Sequence, residues 1–139
     1  MSDLVRTLET DALLERLPAV LDFVEEFFRD AEVPETASFG AHLAVDEVCT
    51  NIIRHAYADA AGPMTVICRR EGDMVWVETF DRGGPFNPDA VKTPDITAPL
   101  EERPIGGLGI FLVRKMMDTV HYARDPDGRN HWRMGKRIG

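Results

Sequence analysis

Apolar residues recur three and four positions apart in some stretches and alternate in others, and that change of period divides the chain into elements. Leu13, Leu14, Leu17, Val20, Leu21, Val24, Phe27 and Phe28 form the inward stripe of an amphipathic helix. Pro18 lacks an amide hydrogen and clashes with a preceding turn, so the pattern predicts a helical turn at 11–16. The main helix then starts near Leu17, with Pro18 in its first turn. Val33-Pro34-Glu35 breaks it. A second helix is expected from Ala37 to Ala58, because Ala41, Ala44, Val45, Val48, Cys49, Ile52, Ile53 and Ala56 share one arc of a helical wheel. Asp46, Thr50 and Arg54 face away, while Glu47 and Asn51 lie one turn apart at the border of the arc.

Alternation marks the strands. Leu4 to Leu8 reads as an edge strand, and Met64–Arg69 with Met74–Phe80 as a hairpin turned at Glu71-Gly72-Asp73. Two more strands, His121–Arg124 and His131–Ile138, turn at Pro126-Asp127-Gly128. Between the pairs, Asp81 to Pro104 is rich in Gly and Pro and has little period, the mark of a lid or a disordered segment. Gly106-Gly107-Leu108-Gly109 then opens a third helix, Ile110 to Met117. The order β-α-α-β-β-lid-α-β-β predicts an α+β two-layer sandwich: a mixed, mostly antiparallel sheet with its helices on one face.

A length of 139 residues fits one domain, taken as 1–139, and 44% hydrophobic with 29% charged residues is an ordinary globular balance. No apolar run approaches the ~20 residues of a membrane span, and the first residues lack the basic-then-apolar order of a signal peptide. Cys49 and Cys68 are too few for a disulfide framework or a zinc site. A soluble, cytoplasmic protein is expected. The net charge of -8 is uneven: residues 1–60 hold 13 acids and 4 bases, residues 61–139 hold 11 acids and 12 bases. An acidic chain is repelled by a phosphate backbone, so direct nucleic-acid binding is not expected, whereas the acidic first half suits a basic protein partner.

Three clusters carry candidate chemistry, each with a plainer alternative. In the first, the Asn51 amide oxygen suits a hard cation such as Mg²⁺, and Glu47 can take a proton from a hydroxyl beside it; the alternative is two ordinary polar residues on a helix border. In the second, Asp81-Arg82-Gly83-Gly84-Pro85-Phe86, a strand-end carboxylate can accept a hydrogen bond from an exocyclic amine such as that of adenine, with glycines admitting the ring; the alternative is a strand-ending turn. In the third, Gly106-Gly107-Leu108-Gly109-Ile110, successive amides at a helix start suit phosphate oxygens; the alternative is a hinge. His42, His55, His121 and His131 have no metal-ligand spacing, and Cys49, Met116, Met117, Trp76 and Trp132 read as packing. Arg129, Arg133, Lys136 and Arg137 read as a solvated strand face.

In this order, Leu43–Tyr57, Asp81–Phe86 and Gly106–Val113 resemble the N, G1 and G2 boxes of the GHKL (Bergerat-fold) ATPases. Within them the chain is similar to the small anti-sigma factor serine/threonine kinases. The resemblance implies an ATP site in which Asn51 holds Mg²⁺ and Glu47 is the base. Asp81, next to Gly83, reads adenine, and the backbone of Gly106, Gly107, Leu108 and Gly109 cradles phosphates. His55 borders the cleft, and Arg103 reaches the phosphates from a lid at 83–105. The implied partners are a sigma factor and a small antagonist protein that is phosphorylated on serine, with a homodimer left open. The phosphoacceptor hairpin of sensor histidine kinases and the added domains of the gyrase and heat-shock branches are not expected. A second reading remains, a nucleotide-gated module that sequesters a partner without phosphotransfer.

Overall fold

The chain runs through β1 (Leu4–Asp11), a 3₁₀ turn (Leu14–Arg16), α1 (Leu17–Asp30), α2 (Glu35–Asn51), β2 (Pro63–Glu71), β3 (Met74–Asp81), α3 (Gly107–Met116), β4 (Thr119–Arg124) and β5 (Asn130–Arg137). These come from a computed structural model that describes residues 3–56, 62–84 and 107–138. Pro18 sits in the first turn of α1, where its missing amide has no intrahelical partner to lose. α2 starts at once after the extended Pro34, two residues earlier than the sequence pattern suggests. Its α-helical part ends at Asn51, and Ile52–Ala56 continue as a wider π-helical turn. The end expected at Ala58 lies outside the described residues.

The strands form one sheet in the order β1-β2-β3-β5-β4, with β1 at an edge. All four neighbouring pairs are antiparallel, so the sheet expected to be mixed has no parallel pair among the described residues. The cause is the helix count. β1 ends at Asp11, opposite Pro63 where β2 begins; α1 carries the chain down the sheet and α2 carries it back. One end of the domain therefore holds Asp11, Pro63, Asp81 and Asn130, and the other holds Leu4, Arg70, Met74 and Arg137. β1 is also longer than Leu4–Leu8, because Glu9, Thr10 and Asp11 still face partners in β2.

The helices cover one face of the sheet. Val20, Val24, Phe27 and Phe28 of α1, Ala41, Ala44, Val45, Val48 and Cys49 of α2, and Ile110 and Val113 of α3 share one core with Met64, Val66, Cys68, Val75, Val77, Trp132 and Met134 of the strands. Each large apolar side chain removed from water contributes about 1.5–3 kcal/mol. Cys49 and Cys68 are buried free thiols whose pKa values burial pushes up to about 12, as core residues rather than nucleophiles. On the other face Arg133 lies 4.0 Å over the Trp76 ring. Gly135 is required there, since a β-carbon on it would stand 2.5 Å from Trp76 Cζ3 and 2.8 Å from Thr119 Oγ1. Lys136, expected in solvent, instead donates from Nζ to the Met116 carbonyl at 2.9 Å and closes the end of α3.

Arg70 does the same for α1 from across the fold. Its Nη1 donates to the Ala31 carbonyl at 2.5 Å and the Glu32 carbonyl at 3.4 Å, and its Nε to Gly72 at 3.1 Å. Glu32 is the one described non-glycine residue at positive φ, 57°, where the helix unwinds. Arg70→Ala should therefore lower unfolding free energy by about 1.5–3 kcal/mol, the range for bonds to a charged donor. Urea denaturation at neutral pH measures the loss.

Candidate functional site

Inward-facing positions of β3 run Val75, Val77, Thr79, Asp81, so the apolar alternation turns polar at one end of the sheet. Asp81 is 2% exposed, a burial that a carboxylate tolerates only with hydrogen-bond partners. Its Oδ1 accepts from the Gly83 amide at 2.9 Å, an Asx turn, and from Asn130 Nδ2 at 2.9 Å. Its Oδ2 receives no bond among the described residues and is left as an acceptor. Thr79, one inward position earlier, is wholly buried, and its hydroxyl has no partner among the described residues.

Asn130 was not singled out from the sequence, yet it organises this corner. It stands opposite Asp81 in the β3–β5 register and is buried. Nδ2 also donates to the carbonyls of Gly83 (3.1 Å) and Gly84 (3.0 Å). Oδ1 accepts from the Tyr122 hydroxyl and from Arg124 Nη1 at 3.1 Å. All donors meet one end of the amide and all acceptors the other, which fixes its orientation. The signal for it was present: Asn130, Trp132, Met134 and Lys136 share the inward face of β5, and Asn130 is the polar residue at the end that pairs with Asp81.

The other two clusters reach the same end of the domain. α3 ends at Met116, beside Gly40 near the start of α2; a β-carbon built on Gly40 would lie 3.5 Å from the Met116 carbonyl oxygen. The two helices are antiparallel, and nine residues at 1.5 Å each set the start of α3 about 13 Å farther up, level with Cys49. Asn51 is the last residue of α2, at the end of the domain that carries Asp81. Gly107, Leu108 and Gly109 form the first turn of α3 rather than a loop before Ile110, so amides of that turn have no intrahelical acceptor. The π-helical turn follows Asn51 directly and contains His55; such turns are frequent at functional sites. The His55 side chain, Arg103, Gly106 and the stretch 85–105 lie outside the described residues.

Glu47 is half-buried one turn before Asn51. Burial raises its pKa above the usual 4.5, the neighbouring Asp46 raises it further, and Arg54 opposes both. Asp46 and Thr50, expected to face away, are also half-buried, and Thr50 Oγ1 donates to Asp46 Oδ1 at 3.2 Å. A carboxylate so tuned is a better proton acceptor near neutral pH. Among the described residues no group of three or more His, Cys, Asp or Glu could hold a metal ion.

Two measurements follow. Asn130→Ala leaves Asp81 Oδ1 and two glycine carbonyls short of a donor and should destabilise the fold by about 1–3 kcal/mol, read from denaturant midpoints. For Glu47, a folded pKa above the unfolded value means its favourable contribution is complete below about pH 4.5 and is lost as pH rises through the folded pKa. Glu47→Gln should therefore melt higher than the parent at pH 7, with the gap closing towards pH 4. Thermal melts across that range check the sign.

Comparison with known proteins bears on the family and the fold. The family model described as histidine kinase-like ATPase domain matches residues 10–136. A serine-protein kinase RsbW of Bacillus mycoides is 33% identical over 87 residues, covering 60% of this chain and 54% of that protein. A Bacillus cereus RsbW is 32% identical over the same shares. The chain thus spans about half the length of the curated relatives it matches. Among solved structures, the RsbU and RsbW domains of a Mycobacterium tuberculosis protein align with a TM-score of 0.67 at 17% identity, over 99% of this chain and 33% of that one. The SiaB–SiaC complex of Pseudomonas aeruginosa aligns at 0.56 and 16% identity, over 94% and 89%. At such identities the structures share the fold, and the matched family model settles membership: the chain belongs to the histidine kinase-like ATPase domain family.

Proposed function

We propose that this chain is an ATP- and Mg²⁺-dependent serine/threonine protein kinase that acts as an anti-sigma regulatory factor and phosphorylates a small antagonist protein. The observation that carries the reading is Asp81: a buried carboxylate with one oxygen saturated by the protein and the other unbonded among the described residues. An exocyclic amine is its natural complement, and leaving such an acceptor unpaired discriminates against rings that lack the donor. The unpartnered Thr79 hydroxyl offers a second polar contact beneath the same ring. Similarity to proteins named serine-protein kinases supports transfer to a protein hydroxyl.

In this reading ATP supplies the phosphoryl group and Mg²⁺ neutralises charge on its oxygens. The chain contributes position and a base. Asn51 holds the cation through its amide oxygen, and the amides of 106–109 bind phosphate oxygens with the dipole of α3 behind them. Glu47 accepts the proton of the partner's serine or threonine hydroxyl as that oxygen bonds to the terminal phosphorus and the bond to the bridging oxygen breaks. A lid over 83–105, with Arg103 near its end and His55 beside the cleft, closes on the nucleotide and excludes water. The work is done in the cytoplasm, consistent with a chain in which no described helix is long and apolar enough to cross a membrane. The sigma factor and its antagonist are the protein partners.

Mg·ATP should raise the melting temperature by mass action, and Asp81→Asn should abolish that rise. Glu47→Ala should keep the rise and lose transfer of radiolabelled phosphate to a candidate antagonist by about 10²–10⁴-fold. Transfer by Glu47→Ala at the parent rate removes the base from this mechanism. Partner binding gated by ATP without any transfer by the parent chain leaves the sequestering module in its place.

A further inference from the structure

Away from Asp81, at the end of the domain that holds Leu4 and Arg70, the turn between α1 and α2 borders a groove of about 740 Å³. Glu25, Phe28, Val33, Glu35, Phe39 and His42 line it, with Arg29 as its one fixed cation. Phe28 is a buried floor at 2% exposure, while Phe39 stands at the rim 66% exposed, the most open of the described large apolar side chains. A lone exposed apolar residue needs no explanation. One set against an apolar floor inside a concave surface is the usual shape of a hot-spot pocket.

The groove is also held open in advance. Ala31 and Val33 donate their amides to the Phe27 and Phe28 carbonyls at 2.8 and 2.9 Å. Arg70 pins the carbonyls of Ala31 and Glu32 from β2. A preformed surface spares a partner the ordering cost of building it. Its charge is one-sided: residues 22–35 carry six carboxylates and one base. Asp30 is taken up by Arg6 at 2.6 Å, whereas Glu25, half-exposed and 3.0 Å from the His42 ring, and Glu35 line the groove, with Glu26 and Glu32 beside them in sequence.

We propose that this groove docks a partner protein through a basic amphipathic segment, which seats an aliphatic or aromatic anchor between Phe28 and Phe39 and sets Lys or Arg side chains against Glu25, Glu32 and Glu35. The inference rests on shape and charge at this end of the domain and not on the nucleotide reading. Because the two sites lie at opposite ends of the sheet, segment and nucleotide bind without competing. An anionic membrane is repelled by the same carboxylates, and a second copy of this acidic chain would bring like charges together.

The test uses the full chain and a fluorescein-labelled helical peptide with Leu and Phe on one face and Lys and Arg on the other, paired with a version in which every Lys and Arg is Glu. Anisotropy should show binding of the basic peptide alone, weakening steeply as salt is raised. Phe39→Ser and the double variant Glu25→Gln/Glu35→Gln should each weaken it about tenfold or more. Phe39 is exposed, so Phe39→Ser should melt with the parent and keep the shift given by Mg·ATP, which separates loss of docking from loss of folding or of nucleotide binding. Equal binding of both peptides, no binding, or unchanged binding by the variants overturns the proposal. So does sedimentation showing a dimer that Phe39→Ser dissolves, which would assign the groove to a second copy.

Discussion

A carboxylate held almost wholly out of water is the constraint around which this fold is arranged. Burial of the Asp81 side chain is tolerated because the chain brings two donors to one of its oxygens, the Gly83 amide and the Asn130 side chain. That requirement fixes the end of β3, the course of the Gly83–Gly84 turn and the pairing of β5 with β3. It also extends to β4, through Tyr122 and Arg124 on the far side of the same asparagine. The oxygen left over is the group that a ligand would satisfy. A purely structural carboxylate would more simply be replaced by an apolar residue, since a partly satisfied buried polar group is worse for stability than none.

Topology then decides what shares that end of the sheet. Two helices between β1 and β2 return the chain to where it left, and one helix between β3 and β4 takes it across, so the sheet is antiparallel throughout. The same count puts the end of α2 and the start of α3 beside the end of β3. The far end receives the opposite termini, the end of α1, the start of α2 and the end of α3. There the exposed carbonyls are met by Arg70 and Lys136, basic side chains sent from strands. The described carbonyls at the ends of α1 and α3 are thus capped by strand side chains at one end of the domain, while Asp81 and the last residue of α2 stand at the other.

Thr79, Asp81 and Asn130 gather at one end of the inner face, and polar residues on the outer face form a separate layer. Glu78, 8% exposed, is neutralised by Arg69 at 3.1 Å and meets His131 at 3.0 Å, and His131 stacks on Phe80. Each of these groups has a charged or aromatic neighbour, whereas the Thr79 hydroxyl on the inner face has no hydrogen-bond partner among the described residues. Glu47 belongs with the inner group: burial and Asp46 disfavour its charge, a local cost in stability that suits a proton acceptor.

The sequence alone determined the period of every element and hence the α+β class, because helices and strands that bury one face must repeat at 3.6 and 2 residues. It placed Pro18 in the first turn of α1, put Leu4–Leu8 at an edge, and marked Glu47, Asn51, Asp81 and the 106–109 glycines as polar or flexible departures from pattern. It gave Arg129, Arg133, Lys136 and Arg137 as a solvated face, and missed Lys136 at the end of α3. It did not single out Asn130, although an inward polar residue at a strand end was visible. Period is a local property, whereas a hydrogen-bond partner 49 residues away is set by strand register and helix count. Those decided that the described strand pairs are antiparallel, which oxygen of Asp81 the described residues leave unbonded, and which end of the domain is capped. Only the assembled chain brings such distant donors and acceptors within reach.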